Sequence, residues 1–324
     1  TKLYIFKNND IIPWSNCVAT VGFFDGVHAG HRFLLHQLSK IARDEHKISV
    51  VITFDHHPRK VLNADFQPKL LTSLDEKLDL LTEAGLDACV VLSFTKELSR
   101  LSAFEFLQQI LFDRLKVSTL LVGHDHRFGH NREQGFDEYR AFGATLGMNV
   151  IQVEKYTTTE TPHMSSTQIR HSLESGDLAL ANKLLTYPFI LTGKVKSGFQ
   201  VGRKIGFPTA NLLPAEKDKI IPATGVYAVC VKWDHHEYRG MMNIGYRPTI
   251  NNSDERTLEV HIIDFEGDIY DRNLKIEFIA KIRDEMKFNG VDELIEQLKK
   301  DRETVLNMDF NKIVENFTES DLFK

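Results

Sequence analysis

GFFDGVHAGH, residues 22–31, is the stretch whose reading decides the fold. It follows CVATV at 17–21, an apolar run that reads as a buried strand continuing to residue 23. It leads into HRFLLHQLSKIA, where Leu34, Leu35, Leu38, Ile41 and Ala42 recur at helical spacing, predicting a helix over 31–45. A strand, a glycine-bearing turn and a helix start therefore coincide. Gly22, Gly26 and Gly30 let the backbone come close to a ligand, and a helix N-terminus offers N–H groups and positive potential. His28 and His31, three apart at that first turn, can point both imidazoles at one bound anion. This is the layout of a nucleotide-phosphate site.

The rest of the chain bounds what such a site belongs to. At 324 residues there is room for two domains, each with its own core. The composition, 42% hydrophobic and 26% charged, is that of an ordinary soluble globular protein. A net charge of −5 argues against broad, sequence-independent nucleic-acid binding, which needs a basic face. Cys17, Cys89 and Cys230 are scattered without CxxC spacing and read as thiols in a reducing compartment. No stretch is apolar enough to span a membrane and none reads as a signal peptide, so the expected location is cytoplasmic.

Periodicity divides the chain near residue 185. Before it, strands predicted at 18–23, 48–54, 88–94, 118–122 and 149–153 alternate with helices at 31–45, 74–84, 103–115 and 133–146. That alternation predicts a mostly parallel sheet covered by helices, with ligands bound beyond the carboxyl ends of the strands, where residues 22–31 fall. After it come strands at 190–195, 226–233, 239–244, 257–263 and 274–280, with a hairpin connection at 233–238. One helix over 291–300 follows, its Val291, Leu294, Ile295 and Leu298 on one face. The second half thus reads as an antiparallel barrel or sandwich with a terminal helix. Helical pieces at 167–175 and 178–185 bridge the halves.

In its full form, FFDGVHAGH resembles the HxGH-type nucleotidyltransferases, and GFFDGVHAGH is similar to the FAD synthetase half of the bifunctional riboflavin kinase/FAD synthetase family. Three further segments carry the same resemblance. TFDHHPRKVL (53–62) resembles TFxPHP, with His56 in place of proline. VGHDHRFGHNREQG (122–135) resembles GxDFxFGxxRxG: Asp125, Phe128, Gly129 and Arg132 match, His126 replaces phenylalanine, and Gly135 comes one residue late. SSTQIR (165–170) resembles SSTRIR, with Gln168 replacing an arginine and Arg170 retained. The resemblance implies ATP or phosphate binding by Gly22, Phe23, Asp25, Gly26, Gly30, Ser166, Thr167 and Arg170. It implies flavin binding by Asp125 and Phe128, and adenylyl transfer at His28 and His31. Ser166 and Thr167 open a helix, so helix capping is their alternative role. The histidines at 56, 57, 124, 126 and 130 invite a metal reading, but they lack cysteines or an HExxH helix, and His126 and His130 read as polar loop residues. The chemistry needs no base. The attacking phosphate monoester of FMN is largely dianionic near neutral pH, its second pKa being about 6, so the site must neutralise charge and position the reactants.

GRKIGFPTANL (202–212) is the second informative string. Thr209 and Asn211 alternate on an extended segment, so both face one side, and their oxygens suit Mg²⁺. This string resembles the riboflavin kinase half of the same family, as do GVYAV (225–229), NIGYRPT (243–249), LEVHIIDF (258–265) and IRDEMKF (282–288). Within LEVHIIDF, strand alternation puts Leu258, Val260 and Ile262 on one face and Glu259 and His261 on the other. The resemblance makes Glu259 the catalytic base for the ribityl 5′-hydroxyl, Thr209 and Asn211 the Mg²⁺ ligands, Gly206 and Pro208 ATP contacts, and Arg283 and Phe288 flavin contacts. No GxxxxGK[ST] loop and no HRD/DFG set occurs, which disfavours the common kinase classes.

The resemblance runs from Gly22 to Asp301, with two motif sets in order. It implies a Rossmann-like α/β HxGH nucleotidyltransferase domain, FMN adenylyltransferase, over 1–186. A Greek-key-like all-β barrel with a C-terminal helix, riboflavin kinase, would follow over 187–324. Riboflavin, FMN and ATP would be substrates, with Mg²⁺ as cofactor and FAD, ADP and pyrophosphate as products; neither nucleic acid nor membrane is an expected partner. Two other readings are a kinase whose first domain is degenerate, given His56, Gln168 and the late Gly135, and a non-catalytic flavin-binding regulator.

Overall fold

A computed structural model describes residues 2–124, 126, 135–157, 164–197 and 203–318. In chain order the first elements are β1 (Tyr4–Lys7), β2 (Cys17–Val21), α1 (Ala29–Asp44), β3 (Ile48–Phe54), α2 (Pro58–Leu62), α3 (Leu74–Thr82) and β4 (Ala88–Leu92). Then come α4 (Lys96–Ser99), α5 (Ala103–Glu105), a π-helical segment (Phe106–Arg114), β5 (Val117–Val122), α6 (Phe136–Leu146) and β6 (Asn149–Gln152). The six strands form one parallel sheet in the order β1-β4-β3-β2-β5-β6. All five residues of β2 and of β4 are buried, as expected of strands covered on both faces. From β2 the chain moves to β3 and β4 on one side, then returns to β5 on the other. The switch point lies between β2 and β5, and the turn opened by Gly22 sits at its carboxyl end. Helix α1 buries Ala29, Leu35, Leu38 and Ala42; each leucine contributes about 1.5–3 kcal/mol of burial.

The sequence predicts a single helix over 103–115. The structure has one turn of α-helix and then π-type pairing, in which the Leu115 N–H donates to the Ile110 carbonyl at 2.9 Å. Strand β1 and the short helices α2 and α4 escape the sequence pattern because four or five residues are too few to show a period.

The second half contains α7 (Ser166–Ser175), α8 (Leu178–Leu185), β7 (Phe189–Ser197), β8 (Ala210–Pro214), β9 (Gly225–Trp233), β10 (His236–Pro248), β11 (Asp254–Ile262), β12 (Asn273–Arg283), α9 (Val291–Asn307) and α10 (Phe310–Glu315). The six strands close into an antiparallel barrel, β10-β11-β8-β7-β12-β9. Of the alternatives left by periodicity, barrel or sandwich, the structure is the barrel. The expected hairpin at 233–238 is present, with Asp234 at φ 48° in the turn.

Two compact units result. Residues 2–68 and 74–164 make one, and residues 69–73 and 165–318 the other. Helices α7 and α8 thus pack with the barrel: Asn182 donates to the Phe278 carbonyl at 2.9 Å and accepts from the Phe189 N–H at 2.8 Å. Residues 69–73 join them, because the Lys219 ammonium donates to the Leu71 carbonyl at 2.7 Å.

Helix α9 lies on the barrel wall. Leu298 and Val305 pack with Val226, Ala228 and Met241, and one nitrogen of Arg239 donates to the Val305 and Met308 carbonyls at 2.8 Å. Asp301, 1% exposed, pairs with Arg283 of β12 through Nη2 at 2.9 Å and Nε at 3.0 Å. Removing one charge of a buried pair strands the other, so Asp301→Asn should destabilise the second unit by about 3–5 kcal/mol. Denaturant unfolding of the two proteins measures this, and a loss below about 1 kcal/mol would mean that the pair is not holding α9 in place.

Candidate active sites

The first site begins at the N-terminus of α1. His28 is the N-cap residue, and its Nδ1 accepts from the Gly30 and His31 N–H groups at 3.1 and 3.3 Å. His31 answers: its Nδ1 accepts from the His28 N–H at 3.3 Å, a capping box made of two imidazoles. A neutral ring that accepts at Nδ1 carries its proton at Nε2. The rings stack with centroids 3.6 Å apart and 16° between planes at one end of the helix. This differs from the simplest expectation for a helix N-terminus. Two of its N–H groups are already spent on His28 Nδ1. A Cβ at Gly30 would lie 3.0 Å from the His28 ring, so a larger residue there would have to push the capping ring aside. Burial, then the neighbouring His28 and Lys77, hold His31 well below the ordinary histidine range, which keeps it neutral.

The turn leading to the cap is strained. Phe24 and Val27 have φ of 55° and 41°, and Gly26 has φ 85°. Positive φ costs a non-glycine residue about 1–3 kcal/mol, most for a β-branched one. Phe24 packs edge-on against His31 at 5.3 Å, and Gly22 donates to the Ile52 carbonyl at 3.0 Å. Asp25 is buried and Phe23 half-buried. Composition and spacing gave no sign of Lys77 of α3. Its ammonium donates to the carbonyls of Phe23 and Phe54 and to the Thr53 hydroxyl, each at 3.0 Å.

In the TFDHHP element, His57 caps α2 by accepting the Arg59 N–H at 3.1 Å, and Pro58 opens that helix. His56 pairs with Asp55 at 2.9 Å. Among the described residues no three His, Cys, Asp or Glu side chains converge as a metal cage. Asp125, Phe128, Gly129, His130 and Arg132 lie outside the described residues. The SSTQIR element falls in the second unit. Ser165, rather than Ser166 or Thr167, is the N-cap of α7 and accepts the Gln168 N–H at 3.2 Å. Arg170 donates through Nε to the Lys69 carbonyl at 2.7 Å.

The second site is laid out by strand register. Ser197 of β7 stands opposite Asn211 of β8, Asn211 opposite Glu259 of β11, and Glu259 opposite Asn243 of β10. Asn243 stands opposite Val226 of β9, and Val226 opposite Arg283 of β12. Directly opposed residues share a face, so one row runs through all six strands. Val226 identifies the face: it packs against the elements that α9 covers. A cavity of about 240 Å³ opens there, lined among others by Thr209, Asn243, Glu259, His261, Arg283 and Phe288. Asn243 and His261 are site residues the motifs did not single out; strand alternation already put His261 on the face of Glu259, whereas Asn243 needed the register.

Burial raises the Glu259 carboxyl above the ordinary range, opposed by Arg247. His261 Nδ1 lies 2.8 Å from the Pro208 carbonyl, which can only accept, so the proton sits on Nδ1. Burial also lowers the His261 pKa. Asn211 donates its amide N–H to Ser197 Oγ at 2.6 Å, which leaves its amide oxygen to accept. Gly206 follows a 3₁₀ turn at Arg203–Ile205 with φ 81°. Arg283 borders the cavity with part of its guanidinium committed to Asp301, and its centre lies 5.9 Å from the Phe288 ring.

A parallel α/β unit with a histidine-capped helix at its switch point, followed along the chain by a barrel holding a partly desolvated carboxylate, defines a two-part nucleotide-using transferase. The comparisons give the particular family. An FAD synthetase family model matches residues 11–168 and a riboflavin kinase family model matches residues 185–308. The bifunctional riboflavin kinase/FMN adenylyltransferase of Escherichia coli (strain K12) is 38% identical over 293 residues, covering 90% of this chain and 92% of its own. That of Listeria monocytogenes is 38% identical over 289 residues, covering 89% and 91%. A solved structure described as a macrolide-efflux protein from Streptococcus pneumoniae is 31% identical, with a TM-score of 0.85 over 94% of this chain and all of that one. That description speaks for that protein; among the described residues here, no helix is long and apolar enough to cross a membrane. The chain belongs to the bifunctional riboflavin kinase/FMN adenylyltransferase family and carries both enzyme domains.

Replacing His28 and His31 by alanine should lower FMN adenylylation by about a hundredfold or more, since donors to the developing charge are worth about 3 kcal/mol. Riboflavin phosphorylation in the same preparation should be unchanged. Chromatography of flavins after supplying FMN or riboflavin separates the two; undiminished FAD synthesis would remove the histidines from the site.

Proposed function

We propose that the barrel transfers the γ-phosphoryl group of ATP to the ribityl 5′-hydroxyl of riboflavin, giving FMN and ADP. The first unit transfers the adenylyl group of a second ATP to the FMN phosphate, giving FAD and pyrophosphate. The observation that carries the kinase half is the cross-strand row that sets Glu259 between Asn211 and Asn243. A primary alcohol is a poor nucleophile at neutral pH, so the kinase needs a base. A carboxylate raised by burial is a stronger base than one in water, and Glu259 is the half-buried carboxylate in that row. It accepts the hydroxyl proton as the oxygen attacks the γ-phosphorus. Asn243 and His261 border the same cavity and orient the hydroxyl-bearing chain, and Arg283 and Phe288 flank the flavin. Gly206 and Pro208 bring backbone up to the ATP phosphates.

Thr209 and Asn211 fit Mg²⁺. Both supply neutral oxygens beside a desolvated carboxylate, and the N–H of Asn211 is already turned toward Ser197. The ion, when bound, neutralises phosphate charge. In the first unit no side chain is assigned as base. His28 and His31 donate to the α-phosphate and pyrophosphate oxygens, and Gly22, Phe23, Asp25, Gly26 and Gly30 shape the turn around them. The family resemblance also assigns phosphate contacts to Ser166, Thr167 and Arg170 and flavin contacts to Asp125 and Phe128. The functional division at residue 186 and a cytoplasmic location complete the reading; free, buried Cys17, Cys89 and Cys230 and the use of ATP fit that compartment.

Glu259→Gln should abolish FMN formation while leaving adenylylation of supplied FMN intact; equal loss of both would sink the two-site assignment. The base must be deprotonated, and burial raises its pKa above 4.5. The acid limb of kcat/KM for riboflavin should therefore lie above that value, with activity lost as the pH falls through it. A limb at or below the ordinary glutamate range would exclude Glu259 as the base.

A further inference from the structure

We propose that Lys77 is a positioning residue of the adenylyl-transfer site: its buried ammonium joins the carboxyl ends of β2 and β3 beneath the strained turn and supplies that turn with a fixed positive charge. The inference rests on reading the first unit as the FMN adenylyltransferase.

A lysine that is 3% exposed is unusual, because burying an ammonium is costly unless its donors are all used. An ammonium has three N–H bonds, and Lys77 spends them on the Phe23 carbonyl, the Thr53 hydroxyl and the Phe54 carbonyl. Phe23 lies just past β2 and Phe54 ends β3, the neighbouring strand at the switch point. The Thr53 hydroxyl also donates to the Phe23 carbonyl at 3.1 Å, so that carbonyl is held twice. The Phe23 ring lies 4.2 Å from the ammonium, a cation–π contact. From that anchored carbonyl the chain enters Phe24 and Val27, the two residues forced to positive φ, and reaches His28. Strain of this kind persists only where the surroundings over-determine it, and the clamp at Phe23 does so.

The acceptors matter as much as the donors. All three are neutral, and among the described residues no carboxylate hydrogen-bonds Lys77. Its charge, partly offset by the nearby Asp25 and Asp55, adds to the positive potential of the site where an anionic substrate must bind, and it helps keep His31 neutral. A purely structural bridge would not need a charge.

The groups facing Lys77 are Asp25 from the turn, Asp55 with its partner His56 after β3, Cys89 from β4 and His31 from α1. Burial pushes Lys77 down to about 8, against the opposing pull of Asp25, Cys89 and Asp55. Asp55 is held below the ordinary carboxylate range, the Cys89 thiol is pushed up to about 12, and His31 is already neutral. Substrate phosphates finish ionising near pH 6. Lys77 is thus the group that loses its charge on the alkaline side, and transfer should fall as the pH rises through its pKa.

The test is kcat/KM for ATP in FMN adenylylation, measured from about pH 6.5 to about pH 9.5 on wild type, Lys77→Met and Thr53→Val, with riboflavin phosphorylation assayed on each preparation. Wild type should show an alkaline limb centred near 8. Lys77→Met, which keeps the packing and removes the charge, should lose about thirtyfold or more at neutral pH and lack that limb. Its kinase activity should stay within about twofold of wild type. Thr53→Val, which keeps the charge and the two carbonyl contacts of Lys77 but loses both hydrogen bonds of the Thr53 hydroxyl, should lose less and retain the limb. A wild-type profile flat across the range overturns the proposal without any variant, as does Lys77→Met within about threefold of wild type or still showing the limb. If wild type does not adenylylate FMN at all, the reading of the first unit fails and takes this inference with it. A wild type that turns over without the limb refutes the inference alone.

Discussion

The kinase site depends on one constraint, the hydrogen-bond register of a closed barrel. A strand has period two, so a slip of one residue between β8 and β11 would carry Glu259 away from Asn211 and put its neighbours, Leu258 and Val260, on the cavity face. Closure spreads that constraint around the ring: the row from Ser197 through Asn211, Glu259, Asn243 and Val226 to Arg283 involves every strand. Helix α9 packs on that face, and its Leu294 and Leu298 wall a cavity that is largely apolar, with Thr209, Asn243, Glu259 and His261 as polar groups in its lining. The Arg283–Asp301 pair and the Arg239 contacts at the end of α9 hold that cover in place.

The adenylyl site obeys a different logic. Its donors are fixed by local geometry at one helix end, where each imidazole accepts the backbone N–H of the other residue. That reciprocity aligns both rings and sets both tautomers. What the local geometry cannot do is hold the approach to the helix, which passes through two residues at unfavourable φ. A cation from α3, some fifty residues further along the chain, anchors that approach at Phe23. The two active sites thus contrast: the barrel gathers its groups from distant strands, and the α/β unit builds its groups locally and braces them from afar.

Much of this was legible before any coordinates. The alternation of strands and helices followed by strands alone predicts a parallel sheet and then an antiparallel β fold, because each periodicity is a local property. The strand, turn and helix start around residues 22–31 are similarly local, although they do not show His28 to be the helix cap. Three features were not legible. The choice of barrel over sandwich depends on closure between β9, β10 and β12. The placement of α7 and α8 with the barrel depends on Asn182 reaching the Phe278 carbonyl, 96 residues away in sequence. The burial of Lys77 is concealed by its helix, since a lysine after DE in LDEKLDLL reads as a solvated face until α3 is seen against the switch point.

The sequence by itself determined the order of the two folds, the turn and helix start at residues 22–31, and the side chains that can donate, accept or carry charge. These follow from residue type and short-range spacing, which do not change with context. Only the tertiary structure decided which of those side chains share a face, which donors are already spent, and which charges lie out of water. Glu259 became a desolvated carboxylate, Lys77 a buried cation and Arg283 a half-committed one through packing against residues far away in sequence, and desolvation is a property of surroundings that no local pattern encodes.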